Sequence, residues 1–127
     1  RFALYDMIML KDNHIDFCGG VAKAITTTQQ YLKENQLDLK IIVEARSLDE
    51  IKEILAVGGV HRILIDNFDY EGTREAVKLI GNQCQTESSG GINLKTARKY
   101  AECGVNYISS GALTHSVHNM DLSLKAV

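Results

Sequence analysis

The chain has 127 residues, with 14 basic and 16 acidic side chains and a formal net charge of −2. A chain of this length suits one domain, and its charge gives no general attraction to nucleic acid or anionic membranes. Its apolar runs are far shorter than the about 20 residues that cross a bilayer. Three widely spaced cysteines without a CxxC pair favour a reducing compartment. We therefore expect a cytoplasmic protein that binds neither nucleic acid nor membranes.

Short runs typical of β-strands alternate along the chain with stretches of helical periodicity. These runs predict strands over residues 4–10, 39–45, 61–66, 84–88 and 105–109, and the middle ones are rich in Ile and Val. Apolar residues at helical spacing predict helices over residues 21–32, 48–55, 73–80 and 94–101. Ser47 with Glu50 predicts a capping box, and Asp69 and Asn93 predict further N-caps. These βα units predict an α/β fold with a parallel sheet, either part of a (β/α) barrel or an open doubly wound sheet.

Polar residues follow the predicted strands. Lys11 follows the first strand, Glu44 lies near the end of the second, and Asp66 ends the third. Since the carboxyl ends of parallel strands share one edge, where such folds bind ligands, these side chains are candidate site residues. Glu44, Asp66, Ser88 and Ser110 are spaced by 22 residues, which predicts equivalent positions in successive units. Lys11 at the end of an apolar strand predicts an amine that needs an anion.

Two Ser/Gly segments end the last two strands, and they suit a phosphate. The first contains Ser89, Gly90 and Gly91, and the second contains Gly111 and Ala112. Backbone N–H groups in such turns bind phosphate, although a single segment of this kind is more often a plain turn. Together with carboxylates, which bind ribose hydroxyls and Mg²⁺, the segments indicate a sugar phosphate ligand.

The same segments resemble the quinolinate phosphoribosyltransferase family, in the family's order and along nearly the whole chain. The resemblance is carried by RFALYD at residues 1–6, LKDNHI at 10–15, IVE at 42–44, ILIDNF at 63–68, ESSGGI at 87–92, GVNYISSGALTH at 104–115 and MDLSLK at 120–125. It implies a barrel fold and the reaction of quinolinate with 5-phosphoribosyl 1-pyrophosphate. The implied products are nicotinate mononucleotide, pyrophosphate and CO2, formed with Mg²⁺ in de novo NAD biosynthesis.

The resemblance also implies a role for each matching residue. Arg1 would grip a quinolinate carboxylate with its forked donors, and Lys11 would neutralise the anions of the substrates. Glu44 and Asp66 would hold the ribose hydroxyls and Mg²⁺. They would also stabilise positive charge that develops on the ribose. The 5′-phosphate would lie between two loops made of Ser89, Gly90, Gly91, Gly111, Ala112 and Leu113, with His115 beside the second loop.

Members of this family are about twice as long as this chain and form dimers. We therefore expect residues 1–127 to be the C-terminal part of a barrel domain, without the N-terminal domain and the first barrel strands. We expect this part alone to be inactive or nearly so. We also expect the protein to form a homodimer or a higher homo-oligomer.

Three alternatives remain: a molybdenum-associated relative, a half-barrel that binds a phosphate or nucleotide without chemistry, and a purely structural domain. Arginines upstream of these residues would distinguish the quinolinate enzyme from its molybdenum-associated relative, because the two carboxylates of quinolinate need several cations. Glu44 and Asp66 disfavour the binding half-barrel because they would repel a phosphate bound alone. A purely structural domain would leave Lys11, Glu44 and Asp66 unexplained.

Overall fold

The computed structural model describes residues 2–114 and 123–125, and within them five parallel strands alternate with helices. In chain order the elements are β1 (Met7–Leu10), α1 (Asp12–Cys18), α2 (Val21–Glu34), β2 (Lys40–Ala45), α3 (Leu48–Val57), β3 (Arg62–Asp66), α4 (Tyr70–Ile80), β4 (Gln85–Ser89), α5 (Ala97–Ala101), β5 (Tyr107–Ile108) and a 3₁₀ turn (Gly111–Leu113). None of the helices in this described part has the length and apolar character that crossing a bilayer requires.

The strands lie in the sheet in the order in which they follow in the chain, β1-β2-β3-β4-β5. A doubly wound sheet reverses its order at a switch point, with helices on both faces. Here the buried helix residues join a single core with one face of the sheet. The described chain therefore forms an arc of a (β/α) barrel, and the doubly wound alternative is wrong.

The hydrophobic core lies between that face and the helices. Ile41, Val43 and Ala45 of β2 and Ile63 and Ile65 of β3 are each at most 3% exposed. Branched side chains pack well on a pleated surface, so these strands form readily once helices cover them. The helices contribute Val21, Ala24, Ile25, Ile51, Ile54, Ala76 and Ile80 to the same cluster.

We call the opposite side of the sheet the inner face. Successive strand residues point to alternate sides, and paired residues of parallel strands point to the same side. The register therefore places the following residues on the inner face: Ile42, Glu44, Arg62, Leu64, Asp66, Gln85, Glu87, Ser89 and Tyr107. This face is largely polar, and the predicted carboxylates lie on it.

The first and last strands are shorter than predicted. Residues 2–6 fold into a turn because the Asp6 carboxylate accepts hydrogen bonds from the backbone N–H groups of Phe2 (2.8 Å) and Ala3 (3.3 Å). Near β5, the Asn106 side chain accepts a hydrogen bond from the Thr86 backbone N–H (2.8 Å) and replaces a backbone acceptor there. Local side-chain bonds thus compete with the strand ladder at both positions.

The helices agree with the predicted pattern, with two differences. The additional helix α1 follows β1 directly and contains Asp12, Asn13 and His14. Helix α5 begins at Ala97, and Leu94 is 95% exposed instead of facing the core. The reason is local, because residues 94–96 form a turn that Asn93 stabilises.

The predicted caps are partly correct. The Ser47 hydroxyl accepts a hydrogen bond from the Glu50 backbone N–H at 3.2 Å, which confirms the N-cap. The Glu50 carboxylate, however, accepts from the backbone N–H of Arg46, so the reciprocal half of the capping box is absent. Asp69 caps α4 as predicted, through the Gly72 N–H. Asn93 does not cap α5, since its Oδ1 accepts from the Lys95 N–H in the preceding turn.

We expect Ile63→Ala to lower the free energy of unfolding by about 3 kcal/mol, because it leaves a cavity in the core. Leu94→Ala is the control, and its effect should stay below about 0.5 kcal/mol because the side chain is exposed. Urea unfolding of the natural protein that contains this chain measures both. Equal losses at the two positions would contradict the placement of the core.

Candidate functional site

The register of β3 and β4 brings Asp66 and Ser89 together at the carboxyl edge of the sheet. The two residues are paired in the ladder, and the Ser89 hydroxyl donates a hydrogen bond of 2.6 Å to Asp66 Oδ1. Asp66 Oδ2 accepts a second bond, of 2.7 Å, from the Asn67 side-chain amide. Each oxygen of this half-buried carboxylate therefore has one protein donor and can accept another. Such a carboxylate can accept hydrogen bonds from the hydroxyl groups of a ligand without moving.

The 22-residue spacing does not correspond to the register. Glu44 pairs with Leu64, and Asp66 pairs with Ser89 rather than with Ser88. Ser88 points to the helix-covered side and is only 1% exposed. Loops and helices of unequal length separate the strands, so equal spacing in the sequence does not give equal height in the sheet.

Gly90 and Gly91 differ in what surrounds them. A Cβ on Gly90 would lie 2.2 Å from Asn67 Oδ1 and 2.8 Å from the Asn67 backbone nitrogen. Gly91 has no atom within 4 Å of the equivalent point. Gly90 is therefore required by packing against the end of β3. Gly91 leaves space where a ligand can approach the backbone.

The second predicted loop adjoins the first. Gly111, Ala112 and Leu113 form the exposed 3₁₀ turn after β5. The preceding Ser110 hydroxyl donates a 2.5 Å hydrogen bond to the carbonyl oxygen of Ile92, directly after Gly91. The two Ser/Gly segments are thus tied together at one edge of the sheet, as the sequence predicts.

Glu44 is a buried carboxylate, 7% exposed, on the inner face of β2. Its Oε1 accepts a hydrogen bond of 3.3 Å from the Asp12 backbone N–H at the start of α1. Burial raises the pKa of Glu44 above the usual 4.5, and the negative charge of Asp66 raises this pKa further. The register places both acids on the inner face of neighbouring strands.

Lys11 is exposed at the N-cap of α1, so the expectation of an amine that needs an anion for burial is wrong. Its backbone N–H donates to His14 Nδ1 at 3.0 Å, which leaves the ammonium group outside this contact. The helix itself is held in place by Arg46, which binds the Asp16 carboxylate through two nitrogens at 2.9 and 3.0 Å. Lys11 therefore lies on a fixed element next to the end of β1.

The sequence did not identify the ion pair between Arg62 and Glu87 on the inner face. Arg62 Nη1 lies 2.8 Å from Glu87 Oε2, and the guanidinium carbon lies 3.7 Å from the centroid of the Tyr107 ring. The Ser109 hydroxyl donates to the other oxygen of Glu87. Glu87 thus links the start of β3 to the loop after β5. The sequence placed Glu87 at the end of a strand and within the ESSGGI segment, but it gave no signal that Arg62 would be the partner of Glu87.

A cavity of about 670 Å³ lies at the opposite, amino-terminal edge of the sheet. Its lining includes the first residue of each strand: Met7, Lys40, Arg62, Gln85 and Tyr107. It therefore does not contain the predicted site residues. Arg1 and His115, which the resemblance assigned to the substrate site, lie outside the described residues.

The described residues contain no cluster of three or more His, Cys, Asp or Glu side chains that could hold a metal ion. Glu44 and Asp66 form a pair rather than a complete cage. Mg²⁺ commonly binds through one or two carboxylates, with water and substrate phosphates as its other ligands. A divalent cation would also offset the repulsion that raises the pKa of Glu44. The two carboxylates match the number that Mg²⁺ commonly takes from a protein.

Comparisons with known proteins show which family this chain resembles. The family described as quinolinate phosphoribosyl transferase, C-terminal domain, matches residues 1–125. A mitochondrial quinolinate phosphoribosyltransferase (decarboxylating) of Nicotiana glauca is 43% identical over 98% of this chain and 40% of its own length. The solved structure of the nicotinate-nucleotide pyrophosphorylase from Francisella tularensis superposes with a TM-score of 0.81 at 32% identity, over 97% of this chain and 42% of that one.

A probable nicotinate-nucleotide pyrophosphorylase (carboxylating) of Bacillus subtilis is 40% identical, again over 98% of this chain and 42% of the relative. The chain therefore spans about two fifths of the length of the curated relatives that it matches.

We expect Gly90→Ala to lower the free energy of unfolding by about 3 kcal/mol or more, because its methyl group would press on the Asn67 backbone at a positive φ. Gly91→Ala is the matched control, with a positive φ but open space, and should cost about 1 to 2 kcal/mol. Urea unfolding of the natural protein compares them. A greater loss for Gly91→Ala would show that the two glycines are assigned the wrong way round.

We expect the neutral variant Glu44→Gln to unfold with a larger free energy than the wild type at neutral pH. A carboxyl group whose pKa is raised by folding stabilises the folded state below its usual value of 4.5. This contribution is lost as the pH rises through the raised pKa. Unfolding measured as a function of pH should show the advantage of the variant shrinking towards pH 4.5. If the free energies of unfolding of the variant and the wild type differ equally at every pH, desolvation of Glu44 is not the cause of that difference.

Proposed function

This chain belongs to the quinolinate phosphoribosyl transferase family, and we propose that it forms part of the catalytic domain of such an enzyme. The reaction joins quinolinate to the ribosyl group of 5-phosphoribosyl 1-pyrophosphate and releases pyrophosphate and CO2, leaving nicotinate mononucleotide for NAD biosynthesis. The observation that carries the proposal is the position of Asp66. Its carboxylate is fixed by Ser89 and Asn67, beside the first glycine loop and the acid Glu44.

Two carboxylates beside a phosphate loop suit a ribosyl group. A bound phosphate alone would be repelled by Glu44 and Asp66, whereas ribose hydroxyls donate hydrogen bonds to them. As the bond to pyrophosphate lengthens, positive charge develops on the ribose, and negative charges fixed beforehand stabilise it. The burial of Glu44 strengthens this effect because little water screens the charge.

The two loops supply the binding site for the 5′-phosphate. The backbone around Gly91 is open to a ligand, and the Ser110 hydroxyl holds the second loop against the first. A phosphate bound between them would accept hydrogen bonds from backbone N–H groups of both segments. The exposed amine of Lys11 would neutralise substrate anions at the other side of Glu44. Arg1 would bind a carboxylate of quinolinate, as the family resemblance implies.

Mg²⁺ is part of the proposal. Glu44 and Asp66 would hold the ion, together with oxygens of the substrate. The bound ion would neutralise charge on the pyrophosphate group and so make its departure easier.

We further propose that the natural protein is a homodimer or a higher homo-oligomer located in the cytoplasm. Phe2, Leu4 and Tyr5 are each at least 78% exposed, and contiguous exposed apolar side chains favour association. Free cysteines agree with a reducing compartment. The printed name of the Nicotiana glauca relative places that protein in mitochondria.

The test is the quinolinate-dependent release of pyrophosphate and CO2 from 5-phosphoribosyl 1-pyrophosphate with Mg²⁺, measured on the natural protein that contains this chain. Nicotinate and orotate serve as control acceptors. We expect Glu44→Gln and Asp66→Asn each to lower kcat by about 100-fold or more, because each removes a fixed negative charge. Asp49→Asn is the matched control, because Asp49 is exposed and pairs with Lys52 on α3.

Turnover with quinolinate only, lost in both site variants, supports the proposal. Absence of turnover together with retained binding of nicotinate mononucleotide would contradict it. That result would favour a domain that binds a nucleotide without catalysis.

A further inference from the structure

Asn67 has an unusual backbone conformation directly after the acid Asp66. Its φ is 57°, and among the described residues only Gln36, with φ 53°, shares a positive φ without being glycine. Asparagine tolerates this region better than most residues, but L side chains adopt it rarely. Such conformations occur preferentially at functional sites, where the surrounding structure maintains them.

Three contacts confine Asn67 in this conformation. Its backbone N–H donates to the Ser89 carbonyl oxygen at 3.0 Å, which extends the pairing of β3 and β4 by one bond. Its Nδ2 donates to Asp66 Oδ2 at 2.7 Å. Its Oδ1 occupies the space that a side chain at Gly90 would need. The amide is therefore held between the carboxylate of Asp66 and the first glycine loop.

Two residues bind the carboxylate of Asp66, one at each oxygen. Ser89 binds Oδ1 and Asn67 binds Oδ2, so the plane of the carboxylate is fixed from both ends. Hydrogen bonds to a charged group are stronger than those between neutral groups. With Ser89 alone, the carboxylate could rotate about one fixed oxygen.

We propose that Asn67 is a positioning residue that orients the Asp66 carboxylate for the ribose hydroxyls. This inference rests on the function proposed above. The positive φ directs the side chain back onto the preceding residue, and the glycine at position 90 makes room for it. Asn67 itself does not contact the substrate in this proposal.

The decisive variant is Asn67→Gly, because glycine adopts the positive φ readily but has no amide to hold Asp66. We expect kcat to fall about 10- to 100-fold, which is the loss of one hydrogen bond to a charged group. The KM for quinolinate should change less than twofold, since Asp66 faces the ribose. The melting temperature should stay the same or rise. Gln36→Gly is the matched control and should leave kcat unchanged.

A second variant, Asn67→Asp, keeps the shape of the side chain but replaces the donor by another carboxyl group. The second carboxylate cannot donate a hydrogen bond to Asp66 Oδ2. We therefore expect kcat of Asn67→Asp to fall at least as far as that of Asn67→Gly. A role of Asn67 in the shape of the chain alone would leave kcat of Asn67→Asp unchanged.

Unchanged kcat in Asn67→Gly or in Asn67→Asp would overturn the inference. So would a fall in melting temperature of Asn67→Gly with unchanged activity per folded molecule. If the wild type has no turnover, the proposed function fails, and calorimetric binding of ribose 5-phosphate then tests Asn67. Weaker binding by Asn67→Gly supports its positioning role, whereas equal binding, or none by the wild type, rejects it.

Discussion

The register between β3 and β4 is the constraint on which the site depends. Five residue pairs, from Arg62 with Gln85 to Asp66 with Ser89, fix the two strands against each other. Because side chains alternate along a strand, a shift by one residue would turn Asp66 or Ser89 towards the helices. The apolar residues Ile63 and Ile65 prevent this shift, since it would expose them. Packing on one face of the sheet thus determines the chemistry on the other.

The inner face combines buried charge with full hydrogen bonding. Arg62 satisfies Glu87 and also donates to Gln85 at 3.1 and 3.3 Å. A buried ion pair contributes little net stability, but loss of one partner leaves an uncompensated charge. In this protein the ion pair contributes to the geometry, because Glu87 also accepts a hydrogen bond from the Ser109 hydroxyl and so holds the loop after β5. Within residues 2–114 and 123–125 Glu44 forms no ion pair, which is consistent with the proposal that its carboxylate binds a ligand.

Glycine serves two purposes within one short loop. Gly90 is small because the Asn67 corner occupies its side-chain space, whereas Gly91 faces open space. The segment was predicted as a uniform phosphate loop from its composition. The structure distinguishes Gly90, which packs against Asn67, from Gly91, which faces open space, and Asn67 joins the loop to Asp66.

The sequence by itself determined the strands, most helices, and the acids Glu44 and Asp66, because apolar runs and the residues that follow them are local features. The family resemblance supplied the reaction. Only the tertiary structure decided the height of each strand, the pairing of Asp66 with Ser89 and the Arg62–Glu87 contact, since these depend on the lengths of helices and loops between distant residues. The short helix α1 and the positive φ of Asn67 also escaped prediction. Neither has a periodic pattern, and both are maintained by contacts with neighbouring strands.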